Sequence, residues 1–413
     1  MSNLNKTFWE NYYSNNSDNI SENSSFSTFV YDKYISEYNK KNVFLKIADL
    51  GCGNCRDSIF FHKKGNMCYA IDINIKKQHD ITNFVLISGN VEDILQTHKL
   101  QTMLDIIYMR WFLHALPYDI AINIFKYSVN NLKPNGLICV EVRSLNDLEL
   151  KKHSNYDDTD KSYSTTHKRW LYNADKFYEM AANYDCDILY CEEGYFSLNK
   201  ETETHNPLLL RIILKKKLLP FHEKSINYSK YQHVLPLMKE HSIQSYKDMD
   251  LMNNLLEKHN IVYVAVAGTT LGLNRHGGII PWDNDIDIGF IDSEWDKLFL
   301  IKDELNKCGL KYKSKGSIHC DFGRIDCFKL TLKDDYYVGE ARTYCHVDEY
   351  KNIRKQIFGY TYIYAPFCSI KSLSRRYGET YFSEGDINDN YHFKDKKVDR
   401  FNLNSNDLGY QLK

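Results

Sequence analysis

The stretch from Val264 to Phe290, V-A-V-A-G-T-T-L-G-L-N-R-H-G-G-I-I-P-W-D-N-D-I-D-I-G-F, constrains the fold of this chain more than any other. The apolar, β-branched run 261–266 predicts a buried strand. Gly268-Thr269 predicts a tight turn into a short helix, Thr270–Arg275, and the Gly277-Gly278 pair ends that helix. A second strand follows, so this stretch predicts a strand, a turn, a helix and a strand in quick succession.

The second strand carries Asp285 and Asp287, separated by one residue. Side chains at i and i+2 of a strand point to the same face, so we expect the two carboxylates to converge. Converging carboxylates repel unless a cation lies between them, and oxygen ligands suit Mg²⁺ or Mn²⁺. Because protein-bound Mg²⁺ usually also binds substrate phosphates, the pattern indicates a nucleotide or diphosphate site, with N–H donors from Gly268-Thr269. The alternative is a surface hairpin with solvated aspartates.

Three motifs follow one another in this region: G-T-T-L-G, R-H-G-G-I-I-P-W-D and D-I-D-I. In this order they resemble the LicD/fukutin family, a branch of the polymerase-β-like nucleotidyltransferase fold. The later segment Y-A-P-F-C-S-I-K-S-L-S-R-R-Y-G is similar to the end of LicD proteins. The resemblance covers residues 242–385 and implies an α+β domain that transfers a phospho-substituent.

A third acid, Asp326, lies within the predicted strand G-R-I-D-C-F-K-L. The resemblance implies that Asp326 completes a metal site with Asp285 and Asp287; the alternative is a buried salt bridge. Three carboxylates could hold two metals about 4 Å apart, or one metal with the third acid as a base. Near the end of the domain, Arg375 and Arg376 could neutralise a phosphate, or belong to a solvated helix end.

Length, charge and cysteine content narrow the remaining possibilities. A chain of 413 residues can form two domains, and a net charge of −1 gives no overall attraction to nucleic acid. The sequence has no apolar run long enough to span a bilayer and no secretory signal pattern. The 11 cysteines are an odd number without framework spacing, so we expect reduced thiols in a cytoplasmic protein that associates with membranes only peripherally, if at all.

A second glycine-rich motif lies near the N-terminus. An apolar strand over 44–50 runs into D-L-G-C-G-N-C-R-D-S, and a helix is predicted from Asp57. The next predicted strand, in A-I-D-I-N, ends in Asp72. This βαβ pattern predicts a cofactor at the carboxyl end of a parallel sheet, with Asp72 at a ribose diol. The pattern alone leaves NAD and S-adenosylmethionine open.

The string D-L-G-C-G-N-C-R-D-S resembles the class I S-adenosylmethionine-dependent methyltransferases, and this resemblance covers residues 5–217. It implies that five residues contact the cofactor: Asp49, Gly51, Gly53, Asp72 and Asp93. The first acid and the glycines would hold the methionine end, the second acid the ribose and the third acid the adenine. Cys55 replaces the third glycine of the family pattern with another small residue.

Two further polar residues have open roles. Asp105, in the strand L-D-I-I-Y-M-R, is either a site residue or part of the scaffold. His167, with Arg143 and Arg169, lies where the resemblance implies a methyl-acceptor pocket. Because the unperturbed pKa of imidazole is near neutrality, His167 could act as a general base. The alternative is an exposed loop histidine.

The two resemblances together imply a two-domain α/β enzyme: a Rossmann-like methyltransferase domain over 1–217, a linker over 218–241 and a LicD-like domain over 242–413. Such an enzyme of surface-glycan modification would use S-adenosylmethionine and Mg²⁺ or Mn²⁺. It would transfer phosphocholine, phosphoethanolamine or a polyol phosphate from a CDP-activated donor to a glycan or lipid-linked glycan hydroxyl, without nucleic acid partners. The alternatives are a nucleotidyltransferase that releases pyrophosphate and a non-enzymatic binding protein with a decayed site.

Overall fold

The computed structural model describes residues 8, 11, 22–75, 83–97, 99–100, 102–196, 206–217, 235–280, 283, 285–339, 342–382, 384–388 and 398–402. The chain forms two compact units: an N-terminal unit of residues 1–100 and 104–217, and a C-terminal unit of residues 101–103 and 218–413. Of the linker expected over 218–241, residues 218–234 lie outside the described residues. Residues 235–241 begin a long helix, so this part of the expected linker is helical. Pro236 is compatible with that helix because the first turn lacks the hydrogen bond that proline cannot make.

The N-terminal unit is built on a seven-stranded sheet with the order β3-β2-β1-β4-β5-β10-β9. Strands β1 to β5 pair in parallel, and β10 is antiparallel to both of its neighbours. The remaining three strands form a small antiparallel sheet. The strands are β1 (Lys46–Leu50), β2 (Met67–Asp72), β3 (Phe84–Ser88), β4 (Leu104–Arg110), β5 (Leu132–Arg143), β6 (Asn155–Asp157), β7 (Ser162–Ser164), β8 (Lys168–Arg169), β9 (Cys186–Gly194) and β10 (Leu209–Lys216).

This strand order explains the apolar character of the predicted strands and the place of the glycine loop. All five residues of β1 are buried, as is typical of a parallel strand covered on both faces. The order reverses between β1 and β4, and α/β folds bind ligands at the carboxyl ends beside such a reversal. The predicted Rossmann-like fold is confirmed. Its helical segments are Ser25–Val30, Tyr31–Ile35 (a π-helix), Ser36–Lys40, Arg56–Lys63, Val91–Gln96, Leu113–Ala115 (3₁₀), Tyr118–Asn131, Leu148–Lys152 and Ala174–Asn183.

The C-terminal unit is α+β, as predicted. Its main sheet has the order β11-β12-β15-β14-β13, and β16 and β17 extend it from one end of β15. β12 and β15 are parallel, whereas the other pairs are antiparallel. The strands are β11 (Val264–Ala265), β12 (Ile286–Ile291), β13 (Tyr312–Ser314), β14 (His319–Phe322), β15 (Ile325–Lys333), β16 (Tyr336–Gly339), β17 (Arg342–His346), β18 (Ile353–Phe358), β19 (Thr361–Pro366), β20 (Glu384–Asn388) and β21 (Val398–Asn402).

The long helix of the C-terminal unit buries the face that its apolar spacing predicts. In the long helix, the apolar stripe Met249, Met252, Leu255 and Leu256 is buried and belongs to one core cluster with Trp295. The helices are Leu235–Lys258, Ala267–Arg275, Asp292–Leu300, Lys302–Lys307, Val347–Lys351 and Ile370–Tyr377.

Several element boundaries differ from the sequence predictions. The strand predicted over 261–266 is reduced to the two residues of β11, and the helix predicted from Thr270 begins at Ala267. Ala267 has a φ of 48°, so the chain turns one residue earlier than expected. Two short helices, Asp292–Leu300 and Lys302–Lys307, follow β12 and are separated by Ile301.

Candidate functional site

The glycine-rich loop after β1 turns the backbone sharply. Gly51, Gly53 and Cys55 all have positive φ angles, of 71°, 56° and 64°. A Cβ atom at Gly51 would lie 2.3 Å from the ring of Phe112, so this position requires glycine for space as well as for conformation. Cys55 has a left-handed conformation where the methyltransferase pattern has its third glycine. The loop therefore keeps its turn despite the substitution.

A buried carboxylate, Asp49, and a half-buried one, Asp72, flank this loop. Asp49, near the end of β1, accepts a hydrogen bond from Ser58 Oγ at 2.5 Å. Burial, with the charge of Asp57, raises the pKa of Asp49 to about 7. Asp72, the last residue of β2, accepts hydrogen bonds from the backbone N–H groups of Gly53 at 3.0 Å and Asn74 at 2.9 Å, and burial raises its pKa. A ligand that supplies a cation and hydroxyl donors here would offset the cost of removing both acids from water.

Asp93 does not lie at the carboxyl end of β3 but in the helix that follows this strand. It is exposed in the first turn of the helix Val91–Gln96. Asn90, two residues after β3, caps that helix by accepting a hydrogen bond from the N–H group of Glu92 at 2.9 Å. Asn90 is therefore nearer than Asp93 to the carboxyl end of the strand, and the sequence prediction passed over it.

Asp105 is part of the scaffold. It is the second residue of β4, at the opposite end of that strand from Arg110. Its carboxylate accepts a hydrogen bond from the backbone N–H group of Lys46 at 2.8 Å and forms a buried ion pair with Lys133 Nζ at 2.9 Å. Of the two roles open for Asp105, the structure supports the structural one.

His167 is buried and its ring stacks on Phe8, with 4.1 Å between ring centroids. Burial, with the charges of Arg169 and Arg143, lowers the pKa of His167 to about 3. The imidazole is thus neutral at neutral pH, but it is a much weaker base than the isolated imidazole on which the sequence prediction relied. His167 is not an exposed loop residue.

In the C-terminal unit, three aspartates lie side by side on adjacent strands. Asp287 on β12 is in register with Asp326 on β15, and Asp326 is in register with Asp321 on β14. Residues in register on neighbouring strands project from the same face of a sheet. The pairing therefore places three carboxylates in one row across the sheet, and Asp285 immediately precedes β12.

The three predicted metal-site acids are brought together. One carboxylate oxygen from each of Asp285, Asp287 and Asp326 lies within 4.8 Å of the others. Burial, followed by repulsion from Asp285 and Asp326, raises the pKa of Asp287 well above its usual value. Burial also raises the pKa of Asp285. This electrostatic cost is what a divalent cation between the three acids would remove.

Gly268 and Thr269 belong to the first turn of the helix Ala267–Arg275 and contact Asp287. The N–H group of Gly268 donates to the Asp287 carboxylate at 3.2 Å, and Thr269 Oγ1 accepts a hydrogen bond from the N–H group of Asp287 at 2.7 Å. A Cβ atom at Gly268 would lie 2.7 Å from Asp283 Oδ2. These residues therefore position Asp287, and the N–H group of Gly268 is directed at a carboxylate in this structure.

Three residues that the sequence prediction missed surround Asp326. Lys315 Nζ lies 2.8 Å from Asp321 and 3.0 Å from Asp326, and His319 Nε2 lies 3.2 Å from Asp326. His319, Asp321 and Asp326 form a second set of potential metal ligands within 4.8 Å of one another. The signal that could have found Asp321 is the string D-F-G-R-I-D, since a glycine between two apolar runs is typical of a short hairpin.

The two arginines near the end of the domain have different surroundings. The Arg375 guanidinium is exposed and lies over the ring of Tyr336, 4.2 Å from its centroid. Arg376 is half-buried, and its positive charge partly offsets the rise in the pKa of Asp287. Arg376 is thus the better placed of the pair to meet a phosphate near the aspartates.

Comparison with known proteins matches the C-terminal unit to a family. Residues 260–364 match the family model "LicD/FKTN/FKRP, nucleotidyltransferase domain". An uncharacterized protein of Rickettsia typhi is 30% identical over 149 residues, which are 35% of this chain and 48% of that protein. Lipopolysaccharide cholinephosphotransferase LicD of Haemophilus influenzae is 37% identical over 51 residues, 12% of this chain and 19% of that protein. The match thus spans about half the length of the rickettsial protein and a smaller share of the Haemophilus protein.

Solved structures similar to this chain include two methyltransferases. The 1,6-didemethyltoxoflavin-N1-methyltransferase of Burkholderia thailandensis has 12% identity and a TM-score of 0.38, and covers 52% of this chain and 87% of its own. A SAM-dependent methyltransferase of Anabaena variabilis has 16% identity and a TM-score of 0.38, and covers 52% of this chain and 96% of its own.

In the described part of the chain, no helix combines the length and apolarity needed to cross a bilayer. The N-terminal unit has a Rossmann-like strand order with a glycine loop beside the point where that order reverses. The chain thus combines this Rossmann-like unit with a region, residues 260–364, that matches the LicD/FKTN/FKRP nucleotidyltransferase domain.

Proposed function

We propose that the C-terminal unit transfers a phospho-substituent, of the phosphocholine, phosphoethanolamine or polyol phosphate type, from a CDP-activated donor to a glycan hydroxyl. The observation that carries this proposal is the convergence of Asp285, Asp287 and Asp326 within 4.8 Å on a domain of the LicD family. The named activity of the Haemophilus relative, a lipopolysaccharide cholinephosphotransferase, supports the choice of reaction class.

The three acids fit a divalent cation. They offer hard oxygen donors from two adjacent strands. Burial, followed by repulsion from Asp285 and Asp326, raises the pKa of Asp287, and a divalent cation would offset this cost. Mg²⁺ or Mn²⁺ bound there would supply neutralisation of a diphosphate leaving group. Gly268 and Thr269 would hold Asp287 in place, and Arg376 would neutralise further phosphate charge. Asp326, beside Lys315 and His319, would help to hold the cation or accept the proton of the acceptor hydroxyl.

We infer that the N-terminal unit transfers a methyl group from S-adenosylmethionine. Asp49 would face the methionine end of the cofactor and Asp72 its ribose, since the acids lie near the carboxyl ends of β1 and β2 and the strand order reverses between β1 and β4. In the reaction, a lone pair of the acceptor forms the bond to the methyl carbon while the carbon–sulfur bond breaks. The electron pair of that bond stays on sulfur, which gives S-adenosylhomocysteine, and the proton of the acceptor passes to solvent.

The family description also favours a second candidate reaction for the C-terminal unit, nucleotidyl transfer to a sugar, small molecule or protein. The same three acids would serve that reaction, because both reactions neutralise a diphosphate. The products differ: nucleotidyl transfer releases pyrophosphate, whereas phospho-substituent transfer from a CDP-activated donor releases CMP. Analysis of the released product therefore separates the two reactions.

A thermal-shift panel tests the proposed functions on the full chain. The ligands are S-adenosylhomocysteine, CMP, CDP-choline, CDP-ethanolamine, CDP-glycerol, CDP-ribitol, ATP and UTP, each with Mg²⁺ and with EDTA. A ligand that binds only the native state raises the unfolding temperature. We expect a shift with S-adenosylhomocysteine in either condition and a shift with one cytidine ligand only when Mg²⁺ is present.

Arg376 and Arg375 provide a matched pair of variants for this panel. Arg376→Gln should reduce the rise in unfolding temperature caused by the cytidine ligand, because the arginine charge is close enough to affect the pKa of Asp287. Arg375→Gln, which removes the same charge from an exposed neighbour, should leave it unchanged. A response to ATP or UTP without any response to cytidine ligands would instead favour nucleotidyl transfer.

The pKa of Asp49 predicts a pH-dependent affinity for S-adenosylhomocysteine. With a pKa of about 7, Asp49 becomes protonated as the pH falls below neutrality. The amino group of the ligand is cationic and favours the ionised acid, so the affinity should fall by up to about tenfold per pH unit below 7. Calorimetry from about pH 5.5 to about pH 8.5 measures this dependence.

At high pH, Asp49→Asn should bind S-adenosylhomocysteine more weakly than the wild type does. Its affinity should also lose most of the pH dependence below 7. Asp119→Asn, at an exposed position, is the control and should keep the wild-type profile. An unchanged pH profile in Asp49→Asn would show that another group titrates.

A further inference from the structure

We propose that the methyl acceptor carries an anionic group, a phosphate or a carboxylate, which Arg143 and Arg169 bind. This inference rests on the proposed methyltransferase function of the N-terminal unit and adds the chemical class of its acceptor. Arg143 is the last residue of β5, so it lies at the same carboxyl edge of the sheet as Asp49 and Asp72. An acceptor bound there would be at the edge where the cofactor is expected.

Backbone hydrogen bonds fix the segments that carry the basic residues against one another. The N–H group of Arg143 donates to Nδ1 of His114 at 3.1 Å, and the N–H group of Trp170 donates to the carbonyl of His114 at 2.9 Å. The N–H group of Tyr172 donates to the carbonyl of Arg143 at 3.1 Å. Arg169 precedes Trp170, so the end of β5 and the segment after β7 hold the two arginines in one region.

The charges in this region are not balanced among the described residues. Arg143 Nη1 forms an ion pair with Asp147 at 2.7 Å. Arg169 Nη1 donates to Thr165 Oγ1 at 2.7 Å, and no described carboxylate forms an ion pair with Arg169. Burial and the charge of Arg143 lower the pKa of Arg169 to about 10. Of the two half-buried arginines, only Arg143 has an ion pair among the described residues, and an anion bound by both would offset the repulsion between them.

The two histidines of the region contribute hydrogen-bonding groups without charge. Burial, followed by the charge of Arg169, lowers the pKa of both His114 and His167. Because Nδ1 of His114 accepts a hydrogen bond from Arg143, the proton of its neutral ring is on Nε2. The positive charge of the region thus comes from the arginines, whose guanidiniums match a phosphate or a carboxylate in shape.

Lys168 offers a matched control on the same strand. It is adjacent to Arg169 in β8, but its Nζ is already neutralised by Asp157 at 3.0 Å and Asp160 at 2.7 Å. Removing the charge of Lys168 changes the net charge of the protein as much as removing that of Arg169. Only the loss of Arg169 should affect an anion bound at the edge of the main sheet.

The test uses the full chain and begins with calorimetric binding of S-adenosylhomocysteine, which tests the methyltransferase function by itself. The loaded protein is then titrated with inorganic phosphate, phosphoethanolamine, acetate and ethanolamine. We expect the wild type to bind at least one anion and not to bind ethanolamine. Arg169→Gln and Arg143→Gln should weaken that binding about tenfold or more, consistent with loss of a charge-assisted hydrogen bond. Lys168→Gln should bind as the wild type does.

The outcomes separate the two proposals. Binding of phosphate and phosphoethanolamine without acetate would support a phosphate-bearing acceptor, and the reverse would support a carboxylate. Normal binding of S-adenosylhomocysteine with no anion binding, or an equal loss in Lys168→Gln and Arg169→Gln, would overturn the anionic acceptor and leave the methyltransferase function standing. Failure to bind S-adenosylhomocysteine would overturn the methyltransferase function itself. Arg169→Lys retains the positive charge, so it should bind the anion more tightly than Arg169→Gln does. This variant tests the role of the charge if Arg169→Gln folds poorly.

Discussion

Replacing Asp287 by Asn is expected to reduce phospho-substituent transfer by at least about 1,000-fold, which corresponds to about 4 kcal/mol of activation free energy. Asp287 is in register with Asp326, and its carboxylate lies close to those of Asp285 and Asp326. Phosphoryl transfer depends mainly on positioning and charge neutralisation, so loss of a metal ligand should be severe. The measurement is the release of CMP from the CDP-activated donor identified by the thermal-shift panel, with Mg²⁺ present.

The same variant should not be less stable without metal. Burial and repulsion raise the pKa of Asp287, so the ionised side chain disfavours the folded state at neutral pH. Asparagine removes the charge and keeps an oxygen that can accept the hydrogen bond from Gly268. The unfolding temperature in EDTA should therefore stay the same or rise, while the increase caused by Mg²⁺ should disappear.

Two further measurements make this prediction specific. Asp296→Asn, at an exposed position on the helix Asp292–Leu300, should transfer at the wild-type rate. Binding of S-adenosylhomocysteine should be unchanged in Asp287→Asn, because the two proposed activities use separate residues. Loss of both activities together would contradict a two-site enzyme, and wild-type transfer by Asp287→Asn would rule out the metal site as proposed.

Lys133→Met is expected to destabilise the N-terminal unit by about 3–5 kcal/mol. Lys133 and Asp105 form an ion pair at 2.9 Å, and their side chains are only 2% and 6% exposed. Removing the lysine leaves the carboxylate of Asp105 buried without its cation, and burying an uncompensated charge is costly. Urea unfolding measures the change in stability. The transition of the N-terminal unit is identified as the one that S-adenosylhomocysteine moves to a higher urea concentration.

A double variant tests whether the cost comes from the unpaired charge. Asp105→Asn combined with Lys133→Met removes both charges, and it should be substantially more stable than Lys133→Met alone. Lys126→Met, on an exposed position of the helix Tyr118–Asn131, is the control and should change stability little. Equal destabilisation in the single and double variants would mean that packing, rather than charge, gives Lys133 its role.

Parts of the C-terminal site were predictable from local sequence because they depend on short-range geometry. The spacing of Asp285 and Asp287 predicts carboxylates on one face, and their oxygens lie close together with one of Asp326. The Gly277-Gly278 pair predicts the end of the helix that closes at Arg275, and Gly277 has a φ of 74°. Such rules act within a few residues, so they need no knowledge of the rest of the fold.

Only the tertiary structure decided which residues accompany these acids. Asp321 joins the row because just two residues, Gly323 and Arg324, separate β14 from β15, and this short turn sets the register that pairs Asp321 with Asp326. The distinction between Arg375 and Arg376 depends on which face of their helix meets the aspartates. Neither the register of paired strands nor the orientation of a helix face can be predicted from one sequence segment.

The electrostatic properties of the N-terminal residues were likewise decided by the fold. Sequence alone determined that this chain has a glycine loop after an apolar strand and an acid at the end of the next strand, because strand and turn preferences are local. It left Asp105 and His167 with two roles each. The structure buries Asp105 against Lys133 and buries His167 beside Arg143 and Arg169, and the pKa of an ionisable group depends on burial and on charges contributed by distant parts of the chain.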